Sequence, residues 1–206
     1  MSDQISGHMP QNVANPTPPR AAGKPVSISL PGHRAPAVGF EAPFDMLDAC
    51  HERVERMLRL LQRLREHLAN HPLDPPARDA ARDVLRYFDQ AGPHHHADEE
   101  LHVFPAVLAA GSPALQPVVE RLLQDHQDMH HLWAQVRQVL LNVRDGESAS
   151  WAGLQPADQA LMDAYDALYR RHLQDENELV YPAARGLVTA DAQQAMGEEM
   201  TRRRQI

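Results

Sequence analysis

The chain has 206 residues, 43% hydrophobic and only 5% aromatic, which is enough apolar material for one large core, and its Ala, Leu, Arg, Gln and Glu favour helices over a strand-rich sandwich. With 20 basic against 28 acidic residues the formal charge is −8, which argues against a broad nucleic-acid face. No apolar run approaches the roughly 18 residues that would span a bilayer, and a single cysteine, Cys50, excludes an internal disulfide and any multi-cysteine zinc or iron–sulfur site.

The opening Met-Ser-Asp-Gln-Ile-Ser-Gly has neither the basic start nor the apolar middle of a secretion signal. A cytoplasmic protein without a membrane or nucleic-acid partner is expected. Residues 1–43 hold 8 of the 17 prolines and 4 of the 10 glycines, with little periodic apolar content. Such a segment buries too little surface to offset its ordering entropy and is expected to be a disordered tail, with contact to the domain around Ile28–Leu30 or Phe40. Its His8 and His33 are isolated.

From Phe44 the pattern changes. Phe44, Leu47, His51, Val54, Leu58, Leu61 and Leu68 follow helical steps, with a histidine where an apolar residue belongs. This first helix ends near Asn70. A second runs from about Pro76 on Ala80, Val84, Tyr87 and Phe88, is kinked or interrupted at Gly92-Pro93, and resumes over His94–Ala110. Ser112-Pro113 offers an N-cap and first-turn proline for the third helix. Leu115, Val119, Leu122, His126, Met129, Trp133, Val136 and Leu140 form its seam, and Asp145-Gly146 ends it. The fourth starts near Pro156 and carries Leu161, Tyr165, Leu168, His172, Leu179 and Pro182. A short fifth helix from Thr189 contains Ala192, Met196 and Met200, and its Arg202-Arg203-Arg204 run reads as a solvated end favoured by the helix dipole. The expected fold is all-α: an antiparallel up-down-up-down four-helix bundle over 44–188, with the short C-terminal helix (189–206) on or near it.

Of 13 histidines, 11 lie between residues 51 and 172. Two segments match at fixed offsets: His95 to Glu99 followed by Phe104-Pro105, and His172 to Glu176 followed by Tyr181-Pro182. Upstream, His51 precedes His95 by 44 residues and His126 precedes His172 by 46, so the chain reads as a duplicated helix pair. Residues i and i+4 share a helix face, and two such pairs plus two further histidines bring four imidazoles and two carboxylates face to face. That set suits a pair of iron or manganese ions bridged by carboxylates; zinc is also compatible. Burying Glu99 and Glu176 without a cation would cost several kcal/mol each. His130, four residues beyond His126, offers a seventh donor or merely lines the pocket.

These motifs resemble the hemerythrin-like, HHE cation-binding family: Cys50-His51-Glu52, His95 to Glu99, Asp125-His126 to His130, and His172 to Glu176, across roughly residues 44–186. The resemblance implies a four-helix bundle with a non-haem di-iron centre, and taking His130 as a ligand reproduces hemerythrin's five histidines and two carboxylates. On the last helix hemerythrin places an Asp five residues after the histidine; here Asn177 holds that offset and Glu176 the i+4 position. That is more similar to the bacterial HHE branch and to iron–sulfur repair proteins than to the oxygen carriers.

The metal-ligand set is therefore His51, His95, Glu99, His126, His130, His172 and Glu176. His95 is preferred over His94 and His96 because it alone keeps the repeat, although His96 and Glu100 also stand at i,i+4 and leave open a register one residue off. His94 and His131 are expected to face solvent, His102 to lie core-facing in an outer-sphere or packing role, and His67 and His71 to sit at a helix end. Glu55 reads as a solvated ion-pair partner of the Arg-rich first helix and Cys50 as packing. Asp98, Asp125 and Asp175 either orient ligand imidazoles or are exposed helix residues. Trp133, Tyr87, Phe88 and Tyr165 wall the site or simply form core.

An open ferrous position in an apolar bundle suits O2 or NO. Binding or sensing such a gas at a di-iron centre is the leading expectation, ahead of an enzyme. The alternatives are a di-iron stress protein that reduces NO or peroxide or supplies iron for iron–sulfur repair, and a zinc-bound or metal-free interaction bundle. The absence of a cysteine before Cys50 weakens the repair alternative, since repair proteins of this kind carry an N-terminal cysteine-bearing domain.

Overall fold

A computed structural model describes residues 39–204, which are helical with no strand among them. The expectations for residues 1–38, including tail disorder and the contact at Ile28–Leu30, lie outside the described residues. Phe40 does meet the domain: the Arg204 guanidinium lies 5.1 Å over its ring.

Helix α1 (Pro43–Asn70) opens on its proline and buries Phe44, Leu47, His51, Val54, Leu58, Leu61 and Leu68 along one stripe. Helix α2 (Pro75–Asp98) is capped by Asp74, whose carboxylate accepts from the Ala77 N–H at 2.9 Å. It passes through Gly92-Pro93 without the expected interruption. Pro93 sits on the exposed face, while buried Phe88 and His95 on either side anchor the helix in the core.

The departure from α-geometry comes later and twice. Glu99–Val103 and Glu176–Val180 are π-helical turns, closed by Phe104 N–H on the Glu99 carbonyl and Tyr181 N–H on the Glu176 carbonyl. Each precedes a proline, Pro105 or Pro182, which has no N–H to give and whose ring would collide with the carbonyl four residues back; widening the turn relieves both. Helices α3 (Phe104–Ala109) and α6 (Tyr181–Leu187) continue beyond. The extra residue in each turn moves the seam by one position. Val103 and Val180 are fully buried, whereas Leu179 is 42% exposed and His102 turns away to bond Glu199 at 2.8 Å. The core-facing positions expected for Leu179 and His102 are thereby corrected.

Helix α4 (Gln116–Asp145) begins later than Ser112-Pro113, after a turn in which the Ser112 carbonyl accepts from Leu115 and Gln116. Helix α5 (Pro156–Asp175) carries a reciprocal cap between Gln155 and Asp158. Helix α7 (Ala190–Arg204) starts at Thr189, whose hydroxyl accepts from Ala192 N–H.

Helix α1 packs on α2 and α5, and α4 packs on the same two, so four long helices form a closed ring. Inside it lie two apolar layers, one built on residues such as Leu58, Leu61, Phe88, Met129 and Tyr165, the other on Phe44, Leu47, Phe104, Leu122 and Val180. Helix α7 adds Met196 and Met200 to the second layer. Of its arginine run only Arg202 is exposed as expected; Arg204 pairs with fully buried Asp98 at 2.5 Å and Arg203 reaches the same carboxylate at 3.0 Å. A buried carboxylate needs such partners, and these come from a helix distant in sequence. Among the described residues no helix is long and apolar enough to cross a membrane.

Candidate metal centre

Between the two layers each long helix presents a polar group at the same level. His51 lies between Leu47 and Val54 on α1, and His126 between Leu122 and Met129 on α4. His95 with Glu99, and His172 with Glu176, come from α2, α5 and the π-turns that follow. All six side chains are buried, and both glutamates are 0% exposed.

Their donor atoms form two groups, His51–His95–Glu99–Glu176 and Glu99–His126–His172–Glu176, each within 4.8 Å. Glu99 directs Oε1 to His51 (3.6 Å) and His95 (3.4 Å), and Oε2 to His126 (3.4 Å). Glu176 directs Oε2 to His51 (3.3 Å) and Oε1 to His172 (3.0 Å). Nε2 of His126 stands 3.1 Å from Nε2 of His172. Donors bound at about 2.0–2.2 Å to one ion stand about 3–3.5 Å apart, the spacing found here. Both nitrogens of His95, Oε2 of Glu99 and both oxygens of Glu176 are buried without a hydrogen-bond partner. Buried polar atoms are normally satisfied, so a set left unsatisfied and converging on two points fits cations. Imidazoles and carboxylates without a thiolate suit iron, manganese or zinc.

The charges agree. Burial opposes a protonated imidazole at His51 and His172, yet Glu176, with Glu99 or Asp125 beside it, outweighs this and raises both to about 10. Burial also works against the two carboxylates, and Glu99 works against Glu176, but the surrounding histidines hold Glu99 well below the ordinary carboxylate range and Glu176 below it. Burial lowers His95 and, more strongly, His96. Burial opposes protonation of His126 as well, but Glu99 outweighs it and raises that imidazole too, so protonated histidines offset the two carboxylates in the metal-free protein.

The outer contacts follow the repeat. Nδ1 of His126 donates to Glu100 Oε1 at 2.7 Å, and Nδ1 of His51 donates to Asn177 Oδ1 at 2.8 Å. Glu100 and Asn177 each directly follow a core glutamate. Sequence reasoning weighed Glu100 only as the partner of His96 in a shifted register and Asn177 only as the residue at hemerythrin's Asp offset; their matching place in the repeat was the signal for the orienting role. His172 Nδ1 faces buried Asp125 at 3.6 Å, and Arg171 holds that carboxylate at 2.6 Å. Of the other two aspartates, Asp98 pairs with α7 and Asp175 with Arg121. Tyr181, without an expected role, donates its hydroxyl to Glu99 Oε1 at 2.5 Å.

The structure brings six of the seven expected residues together. It does not bring His130, which is exposed and lines a small pocket outside both groups. One turn beyond His126, it leaves the layer that the other donors share. His96 does not replace His95; its ring stacks on His126 with centroids 3.9 Å apart. The pocket has a volume of about 70 Å³ and is walled by Phe88, Met129, Trp133, Tyr165 and Tyr169, with Gly92, His96 and His130. Tyr87 is not part of this wall and instead reaches the Cys50 carbonyl. Cys50 packs against Met46, and Glu55 pairs with Arg59 at the surface.

The family model of the hemerythrin HHE cation-binding domain matches residues 42–198. An uncharacterized protein of Haemophilus influenzae is 30% identical over 168 residues, covering 80% of this chain and 91% of that protein.

Proposed function

Because the chain belongs to the hemerythrin HHE cation-binding family, we propose that it holds two iron ions and binds or senses a diatomic gas, O2 or NO. The observation that carries the two-ion reading is the pair of glutamates, each with one oxygen toward either donor group. His51 and His95 would hold one ion and His126 and His172 the other, with Glu99 and Glu176 shared. When bound, such a pair supplies a two-electron redox change and a coordination position open to a small ligand.

The protein's own residues define what can approach. Glu100 and Asn177 fix the orientations of His126 and His51, Asp125 places a carboxylate 3.6 Å from His172 Nδ1, and the apolar layers exclude water. The pocket beside His96 is about 70 Å³ and mostly aromatic, which suits a diatomic and is too small for an organic substrate. On this ground a small ligand is favoured over an organic substrate.

We also read the four long helices as an antiparallel up-down-up-down bundle. The start of α1 meets the end of α2 at His51 and His95, and the end of α1 meets the start of α2 at His67 and Asp74. Arg78 reaches the Arg144 carbonyl at the far end of α4, and Arg65 pairs with Asp163 in α5.

The test is the optical spectrum of protein loaded anaerobically with ferrous iron, followed as O2 is admitted and removed. A charge-transfer band that appears and then fades on degassing supports gas binding. Irreversible oxidation favours a stress-response or repair chemistry, and no iron requirement favours a zinc-bound or structural bundle. The double variant His95→Ala, Glu99→Ala should lose iron; two irons per chain in that variant would remove the assigned site.

A further inference from the structure

Tyr181 occupies a place in the repeat that its counterpart does not share. It stands nine residues after His172, as Phe104 stands nine after His95. Both rings stack on a histidine of the centre: Tyr181 on His51 with centroids 4.8 Å apart and planes at 17°, Phe104 on His126 at 5.5 Å and 29°. For packing alone the phenyl ring suffices, as Phe104 demonstrates. The additional hydroxyl is fully buried, where an unpartnered oxygen costs roughly 1–3 kcal/mol.

That oxygen lies 2.5 Å from Glu99 Oε1 and 3.0 Å from His51 Nε2. His51 Nε2 also faces Glu176 Oε2 at 3.3 Å and Glu99 Oε1 at 3.6 Å. Three oxygens gather around one imidazole nitrogen, and a single N–H cannot serve all three. Donors of one cation are spaced this way. Building on the two-ion reading, we propose that Tyr181 is a further oxygen donor to the ion held by His51 and His95.

The two positions are then chemically unequal. One combines two imidazoles, shared carboxylates and a phenolate; the other has the apolar ring of Phe104. A hard anionic oxygen favours the ferric over the ferrous ion and over zinc, so the Tyr181 side is the one that retains ferric iron more tightly. On ligation the Tyr181 O–H bond breaks, the Oη–iron bond forms, and the proton leaves to solvent.

The experiment is the visible absorption and resonance Raman spectrum of the ferric-loaded full chain, with iron counted in the same sample. The expected result is a phenolate-to-ferric band whose enhanced vibrations shift in protein grown on ring-deuterated tyrosine. Tyr181→Phe should lose the band while keeping two irons, whereas Tyr169→Phe should keep it. The isotope shift in the unaltered protein provides a readout even if Tyr181→Phe does not fold. Phe104→Tyr should add a second phenolate contribution. Two irons per chain with no tyrosine-sensitive band, or a band that survives Tyr181→Phe, overturns the proposal and leaves the two-ion reading standing. A chain that takes up no ferric iron overturns both.

Discussion

Glu100 accepts a hydrogen bond from Nδ1 of His126 at 2.7 Å, which aims Nε2 of that ring at Glu99 and His172. Asn177 does the same for His51 from the other half of the repeat. Glu100→Ala should therefore lower metal affinity about 10- to 100-fold, the usual cost of losing such an orienting contact. Glu100→Gln, which keeps an acceptor oxygen, should recover most of it. Titration against a competing chelator measures both, and unchanged affinity in the alanine variant would refute the orienting role.

The metal-free protein should have a bounded pH range of greatest stability. His51 and His172 are raised to about 10, so their contribution is complete below about pH 6.5, the unfolded value, and is lost as pH rises toward 10. Glu99 and Glu176 are lowered, so theirs is complete above about pH 4.5 and is lost as pH falls. Urea denaturation across pH should place the maximum between about 4.5 and 6.5. Bound metal replaces the protons on His51, His172 and His126, the last also raised by Glu99, so the alkaline decline should shrink in the loaded protein. An alkaline decline of equal size in both forms would contradict this assignment.

Gly92 lies inside α2 on the pocket wall, yet an added Cβ would meet nothing closer than the Tyr169 hydroxyl at 3.8 Å and Phe88 at 4.0 Å. Packing does not demand a glycine here. Gly92→Ala should raise stability by about 0.5–1 kcal/mol in thermal or urea unfolding. Gly92→Phe should fill the pocket and slow oxidation of the ferrous protein by O2 about tenfold, a barrier increase of about 1.4 kcal/mol, with iron content unchanged. An unchanged rate would show that the gas enters elsewhere.

Asp98 and the arginines of α7 are not equivalent targets. Removing both Arg203 and Arg204 strands a fully buried carboxylate, which should cost about 3 kcal/mol, the low end for a broken buried pair because the arginines are 20–21% exposed. Asp98→Ala should cost less, about 1–2 kcal/mol, since the freed guanidinium groups turn to water. Chemical denaturation ranks the two, and the reverse order would contradict the burial argument.

The helices and the six residues that converge between the two layers were legible because both obey short-range periodicity: a seam interrupted once per helix by histidine, and His-x-x-x-Glu twice. The π-turns were not, although their cause, the aromatic-Pro pair, was visible as part of the repeat. The effect of a missing N–H on the preceding carbonyls changes the register, and spacing counted at 3.6 residues per turn kept Leu179 and His102 facing inward. Asp98 and Tyr181 depend on where distant elements meet. Nothing local distinguishes a buried aspartate awaiting Arg204 from a solvated one, or a phenol aimed at Glu99 from core. His130 had the right i+4 spacing from His126, but shared phase on a helix does not put a residue at the same depth.

The most direct test of the two-ion centre is to load the full chain anaerobically with the Mössbauer-active isotope of iron, oxidise it, and record iron content, Mössbauer and EPR spectra together. Two carboxylates shared between neighbouring ions predict two irons per chain and an antiferromagnetically coupled ferric pair with no EPR signal. One iron per chain, or an uncoupled high-spin ferric signal accounting for all the iron, would contradict it.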